Sequence, residues 1–187
     1  MKRLTPRRSG FLLALLLAFG SIALAPTPAN RPPARNPFLR LLGPAAGLAS
    51  DLQWVRYRAA RDAGSEARAI SLARSAIDLE PTRTDGWRVL AAHLALDLAS
   101  PEHEAERTRR AGWFEAGIEL TRTGERWADD PGELALWRGL LYLSRLEVDP
   151  DLLDGGRAEL TRRAEEAFAE AARLGSAEAL ALIERGR

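Results

Sequence analysis

The chain contains no cysteine, two histidines, a single lysine and no methionine beyond its first residue. Without cysteine there is no disulfide, no thiolate-ligated metal and no lipid-modified N-terminal cysteine. His93 and His103 stand on either side of an expected helix break at Ser100 and Pro101, so the two imidazoles form no H-x3-H face for zinc. No glycine-rich phosphate loop occurs, Gly155 and Gly156 being an isolated pair that reads as a turn. No serine stands in a G-x-S-x-G context that would serve acyl transfer. Carboxylate pairs such as Asp129 with Asp130 and Glu165 with Glu166 fall where helix caps and exposed faces are expected, not across a cleft. Alternating apolar and polar stretches, the mark of a half-buried strand, are missing too. These absences argue against an enzyme and imply neither metal nor cofactor.

Arginine supplies every basic residue except Lys2, and the charges are unevenly divided. Seven of the 27 basic residues and none of the 26 acids lie in residues 1–40, so residues 41–187 hold 20 basic against 26 acidic, a net of −6. An acidic body on a basic leader lacks the cationic surplus that phosphate neutralisation needs, which argues against nucleic acid as a partner.

Lys2, Arg3, Arg7 and Arg8 precede an apolar run from Phe11 to Ala25 interrupted only by Gly20 and Ser21. A basic region before an apolar segment of this length is the pattern of an export signal, shorter than a comfortable spanning helix. The basic end is expected to stay cytoplasmic and the rest to be exported. Ala23 and Ala25 have the small-residue spacing of a cleavage site, but Pro26 follows directly and disfavours the cut; cleavage after Ala29 is the alternative. Residues 1–25 are therefore read as a signal anchor, with a secreted or periplasmic product if the segment is removed. Residues 26–37 contain five prolines, at 26, 28, 32, 33 and 37, with Arg31 and Arg35 between them. Such a linker in polyproline form holds its cargo about 30–40 Å from a bilayer.

Residues 38–187 are long enough for one domain with a core of its own. Gly43 and Pro44 precede a helix expected from Ala45 to Ala63, Gly64 ends it, and Ser65 caps a second to Leu79. A third runs from Asp85 to Ala99. Ser100 and Pro101 read as cap and first turn of a fourth, with Glu102 and Glu104 favoured by its dipole, reaching Arg122. Asp130, Pro131 and Glu133 start a fifth that ends near Glu147. Asp149 to Gly156 is a loop, Arg157 to Leu174 a sixth helix, and Gly175 with Ser176 precedes a last one to Arg185.

Three fragments share one packing logic. From Gly64 to Pro81, Ala69, Ala73 and Ala76 take the close-packing spacing of a second helix that a proline closes. Trp87, Leu90, Ala91 and Leu94 follow the spacing W-x2-L-G-x2-Y, with alanine for glycine and leucine for tyrosine. Ala164, Phe168 and Ala171 repeat the small, aromatic, small order. Antiparallel helices approach closely only where small residues face each other, while large ones fill the space between successive hairpins. From Leu48 to Arg187 the chain resembles the tetratricopeptide-repeat proteins, with lengthened turns in its middle and last units. Trp113, Phe114 and Ile118 stand further from Trp87, and Ala164 further from Trp137, than a regular unit allows.

The resemblance implies an all-α, right-handed stack of about three helical hairpins plus a C-terminal capping helix, preceded by the hydrophobic N-terminal helix. It also implies a concave groove lined by the first helix of each hairpin, of the kind that holds an extended peptide. Trp54, Arg58 and Arg61 share the spacing i, i+4, i+7 with Arg88, Ala92 and Ala95 and with Arg138, Tyr142 and Arg145. Aligned, these stripes would make an arginine-rich groove with aromatic walls, suited to an acidic peptide segment or a chain's terminal carboxylate; the alternative is that the arginines are ordinary solvated residues. The sequence thus points to a membrane-tethered extracytoplasmic scaffold for protein–protein interaction. Its competitor is an accessory subunit of an envelope or secretion complex, assembled through the membrane segment.

Overall fold

The computed structural model describes residues 45–185. The predicted signal anchor, the proline-rich linker and the first residues of the predicted domain lie outside the described residues. Within them every regular element is helical: α1 (Ala45–Asp62), α2 (Glu66–Leu79), α3 (Thr84–Ala92), a π-helical turn (His93–Leu98), α4 (Arg107–Gly124), α5 (Pro131–Val148), α6 (Gly156–Arg173) and α7 (Ala177–Arg185). The all-α class expected from the sequence is observed, and no strand occurs among the described residues. No helix among them is long and apolar enough to cross a membrane.

The helix ends follow from local chemistry. Gly64 at φ +67° lets Ser65 N–H reach the Ala60 carbonyl and Gly64 N–H the Arg61 carbonyl, each at 2.9 Å. That double bond pattern satisfies carbonyls that a helix end leaves unpaired, and its left-handed residue favours glycine. Gly175 at φ +93° repeats it, with Ser176 N–H on Ala171 and Gly175 N–H on Ala172. At the start of α5 the Asp130 carboxylate accepts from Glu133 N–H at 2.8 Å, with Pro131 in the first turn, as predicted.

Two boundaries differ from expectation. Helix α4 begins at Arg107 instead of following Pro101. The segment Pro101–Glu106 has no large apolar residue to bury. Arg110 takes the Glu104 and Ala105 carbonyls at 3.2 and 2.8 Å, which stabilises their non-helical path. Ser100 still acts locally, its hydroxyl accepting from His103 N–H at 3.2 Å. The third predicted helix is split, because the backbone widens from His93 to Leu98 and Ala99 N–H bonds five residues back to Leu94.

Consecutive helices pair as hairpins: α1 with α2, α3 and its π turn with α4, and α5 with α6, while α7 closes on α6. Neighbouring hairpins meet where α3 packs on α2 and where α5 packs on both α3 and α4. One apolar cluster, including Tyr57, Leu72, Ile77, Trp87 and Leu90, joins the first two hairpins. Another, including Phe114, Ile118, Leu141, Tyr142 and Leu160, joins the last two. Leu152 and Leu153 of the loop after α5 are buried in the second cluster, so that loop belongs to the core. A small third cluster seats α7 through Ala179.

Close helix approach depends on missing side chains. A Cβ on Gly117 would lie 2.8 Å from the Ala91 carbonyl oxygen and from the Ala95 Cβ, so α4 crosses the α3–π segment with nothing between the backbones. Gly112, on the same helix, faces open space. Gly117→Ala is expected to cost about 1–3 kcal/mol, as overpacking against backbone does. Gly112→Ala is expected to be neutral or to stabilise by up to about 1 kcal/mol through helix propensity. Thermal unfolding followed by circular dichroism compares the two directly.

Candidate functional site

Arginines and aromatics from the predicted groove divide between surface and interior. On α1, Trp54 is partly buried with its ring edge-on to Tyr57 at 5.4 Å, Arg58 is exposed, and Arg61 is exposed and paired with Asp97 at 2.7 Å. On α3, Arg88 is half-buried, ion-paired with Glu133 of α5, and lies 5.0 Å from the centre of the Trp137 ring. Ala92 is partly buried and Ala95 fully buried. On α5, Arg138, Tyr142 and Arg145 are all buried. The predicted stripe on that helix has the expected spacing on the opposite face. Leu140 and Leu143 hold the open side, Leu140 standing two residues or about 200° from both Arg138 and Tyr142. The three sets therefore do not form one continuous arginine groove.

Arg145, only 2% exposed, uses its guanidinium within the fold. Its Nε donates to the Ala95 carbonyl at 3.1 Å, and its Nη2 donates to Ala95 and, at 3.0 Å, to Leu96. These carbonyls lie in the π turn, where the widened ladder leaves them without their ordinary partners. Burial pulls the Arg145 pKa below its usual value, with the Asp149 charge acting the other way.

His93 opens the same turn. It is buried, with Nε2 2.9 Å from Glu66 of α2 and Nδ1 3.1 Å from Asp97, which also holds Arg61. Its ring stands edge-on to Tyr57 at 5.8 Å. Both ring nitrogens are engaged in joining the first hairpin to the second, as suits a packed histidine. Among the described residues no group of three or more metal-ligating side chains could hold an ion.

What the sequence did not reveal is a pocket of about 220 Å³ between α4, α5 and α6. Arg122, Arg138 and Arg163 converge on it with Tyr142, and Glu166 and Glu170 stand at its wall. Arg138 gives Nη1 to Glu125, and its Nε and Nη2 make no other hydrogen bond among the described residues. Arg163 reaches Glu159 and Glu115, each at 2.6 Å, and exposed Arg122 approaches Glu119 at 3.5 Å. Burial raises the Glu125 pKa, against the lowering effect of Arg138. The Tyr142 hydroxyl is buried without a partner at good hydrogen-bond geometry. Burial raises its pKa, and Arg163 draws it back down.

Convergent guanidiniums and a phenol are donors that match the oxygens of a carboxylate. A wider depression of about 300 Å³ runs under the loop after α5, where Arg107 donates to the Leu152 carbonyl at 3.3 Å and to Asp154 at 3.1 Å. It has no comparable convergence of donors. Arg122 and Arg163 escaped the sequence reading because the pocket draws on three helices and no local spacing marks it.

Arg145→Met is expected to leave the Ala95 and Leu96 carbonyls unsatisfied, costing about 1–3 kcal/mol for each. Lysine at this position, lacking the planar fork, should restore only part of the loss in denaturant unfolding. Hydrogen bonds from Arg162 and then Arg163 hold the Glu159 carboxyl down to about 2, from its ordinary 4.5. A folded-state value below the unfolded one gives stability that is present above pH 4.5 and lost as pH falls from there through about 2. Glu159→Gln should remove that part of the acid loss, so an acid titration of stability would fall less steeply for the variant across that window.

No family model, curated protein or solved structure matches the chain, and the chemistry of the site itself has to carry the functional reading.

Proposed function

We propose that the chain is a membrane-tethered extracytoplasmic scaffold of tetratricopeptide-like hairpins that binds an acidic peptide segment or a terminal carboxylate of another protein. The observation that carries the ligand class is the convergence of Arg122, Arg138 and Arg163 on one open pocket with the Tyr142 hydroxyl, which Arg163 faces and whose proton no acceptor takes among the described residues. Arginine forks grip carboxylates in two-point contacts, and a buried phenol with its proton unaccepted has a donor to give.

Serial packing of hairpins supports the repeat-like architecture. Ala69, Ala73 and Ala76 are wholly buried in the α1–α2 hairpin, and the Trp87 indole donates to the Pro81 carbonyl at 2.8 Å where the next hairpin begins. The tether and the export of the domain rest on Lys2, Arg3, Arg7 and Arg8 ahead of the apolar run from Phe11 to Ala25. In this reading the pocket replaces the concave first-helix groove as the recognition surface. Arg58 is exposed, but no neighbouring arginine of α5 joins it.

Full-length protein in gentle detergent, offered a library of short peptides with free or amidated C-termini, tests this reading. The expected result is enrichment of acidic and free-carboxylate peptides at low salt, fading as salt screens the contact. Arg122→Glu, a change at an exposed position, should abolish the enrichment, whereas Arg58→Glu should leave it intact. Equal recovery of neutral amidated peptides, or enrichment that survives Arg122→Glu, would remove the pocket from the function.

A further inference from the structure

We infer that α1 is a self-association surface at which two copies of this chain pair in parallel. The helix buries Ala46, Ser50, Tyr57 and Ala60 against the rest of the fold. On the opposite side Leu48, Leu52 and Val55 are 77%, 59% and 65% exposed. With Ala45 and Ala59 they recur at alternating steps of three and four along the helix, the seam of a two-stranded coiled coil. Large apolar side chains in unbroken series on one exposed face differ from the scattered surface leucines that every protein has.

Charge selects the occupant. Asp51 flanks the seam on one edge and Arg56, five residues later, flanks it on the other. In a parallel pair, those are the positions that meet across the seam, so Asp51 of each copy faces Arg56 of the other, twice. Arg58, one heptad after Asp51 on the same edge, would offer an antiparallel pair the same kind of contact, so charge favours a second copy and leaves the direction to the tether. Both groups are accessible: Asp51 uses Oδ1 for Arg83 at 2.8 Å while its Oδ2 makes no bond among the described residues, and Arg56 holds only Gln53, at 3.3 Å.

The seam is short, about two heptads. It buries less than the roughly 800 Å² per partner of a standard stable interface. Confinement in one bilayer raises the effective concentration of the second copy, and a parallel pair leaves both α1 N-termini at the same end, which suits two chains held from their N-terminal sides. That gain in strength and the direction of the pair, though not the seam itself, rest on the tether proposed above.

The chain has no cysteine, so single cysteines report pairing without background. Leu48→Cys, Leu52→Cys and Val55→Cys would be placed one at a time in the full-length protein, in membranes, with Arg74→Cys on the exposed side of α2 as control, and oxidised. Expected is a shift to a covalent dimer on a non-reducing gel at all three seam positions and not at Arg74→Cys. Adding Asp51→Arg to the Leu48→Cys variant should diminish the dimer, and adding Arg56→Asp as well should restore it.

Cross-linking at Leu52→Cys alone would overturn the parallel register. Equal cross-linking at Arg74→Cys would reduce the signal to collision. No dimer together with protection of the seam cysteines from a membrane-impermeant maleimide would assign the face to lipid and overturn pairing; no dimer with free labelling would overturn it as well. Recovery of the protein in the soluble fraction would count against the tether and is read separately from the cross-link.

Discussion

The whole arrangement turns on six residues in which the backbone is wound too wide. From His93 to Leu98 the third helix gives up its ordinary ladder, and the carbonyls of Ala95 and Leu96 become acceptors without helical donors. Arg145 supplies those donors from α5, joining the third hairpin to the second. His93 and Asp97, in the same turn, join Glu66 and Arg61 of the first hairpin. Each of the three hairpins thus has a polar attachment to one defect. Because an unsatisfied buried carbonyl is costly, the turn and its partners stand or fall together.

Apolar packing alone would not set this geometry. Gly117 brings α4 against the backbone at Ala91 and Ala95, just where the π turn begins to displace the chain. A tight crossing, a widened turn and a buried guanidinium therefore occupy one region, and each limits how far the others can move. The pocket lies beside this region, between α4, α5 and α6, with Arg138 two turns before Arg145 on α5 and Arg122 near the end of α4. Its donors are held in place by Glu125, Glu115 and Glu159, so they are pre-arranged for a ligand instead of waiting to be ordered by one.

The sequence was most informative where structure is decided locally. Gly64, Gly175 and the Asp130–Glu133 cap announce their turns through backbone chemistry that spans only a few residues. It was least informative about α5, where two stripes compete. Arg138, Tyr142 and Arg145 have helical spacing, and so do Leu140, Leu143 and Glu147. Ordinary hydrophobicity would bury the leucines, yet the arginines go inside because Glu125 and the π-turn carbonyls wait there for donors. Those partners come from distant parts of the chain, and a periodic pattern contains no record of them. The π turn itself has no sequence signature, which is why α3 was read as continuous to Ala99.

The joints between hairpins add polar contacts to the apolar clusters that span them. Within each hairpin the contacts are extensive and mostly apolar, whereas Arg88 with Glu133, Arg61 with Asp97 and Glu66 with His93 bridge from one hairpin to the next. Apolar faces resist separation until they part all at once, while partly hydrated ion pairs exchange for water with little loss. Loss of one of these ion pairs therefore leaves its joint closed by the apolar cluster that spans it. The ion pairs thus orient hairpins that apolar burial holds together.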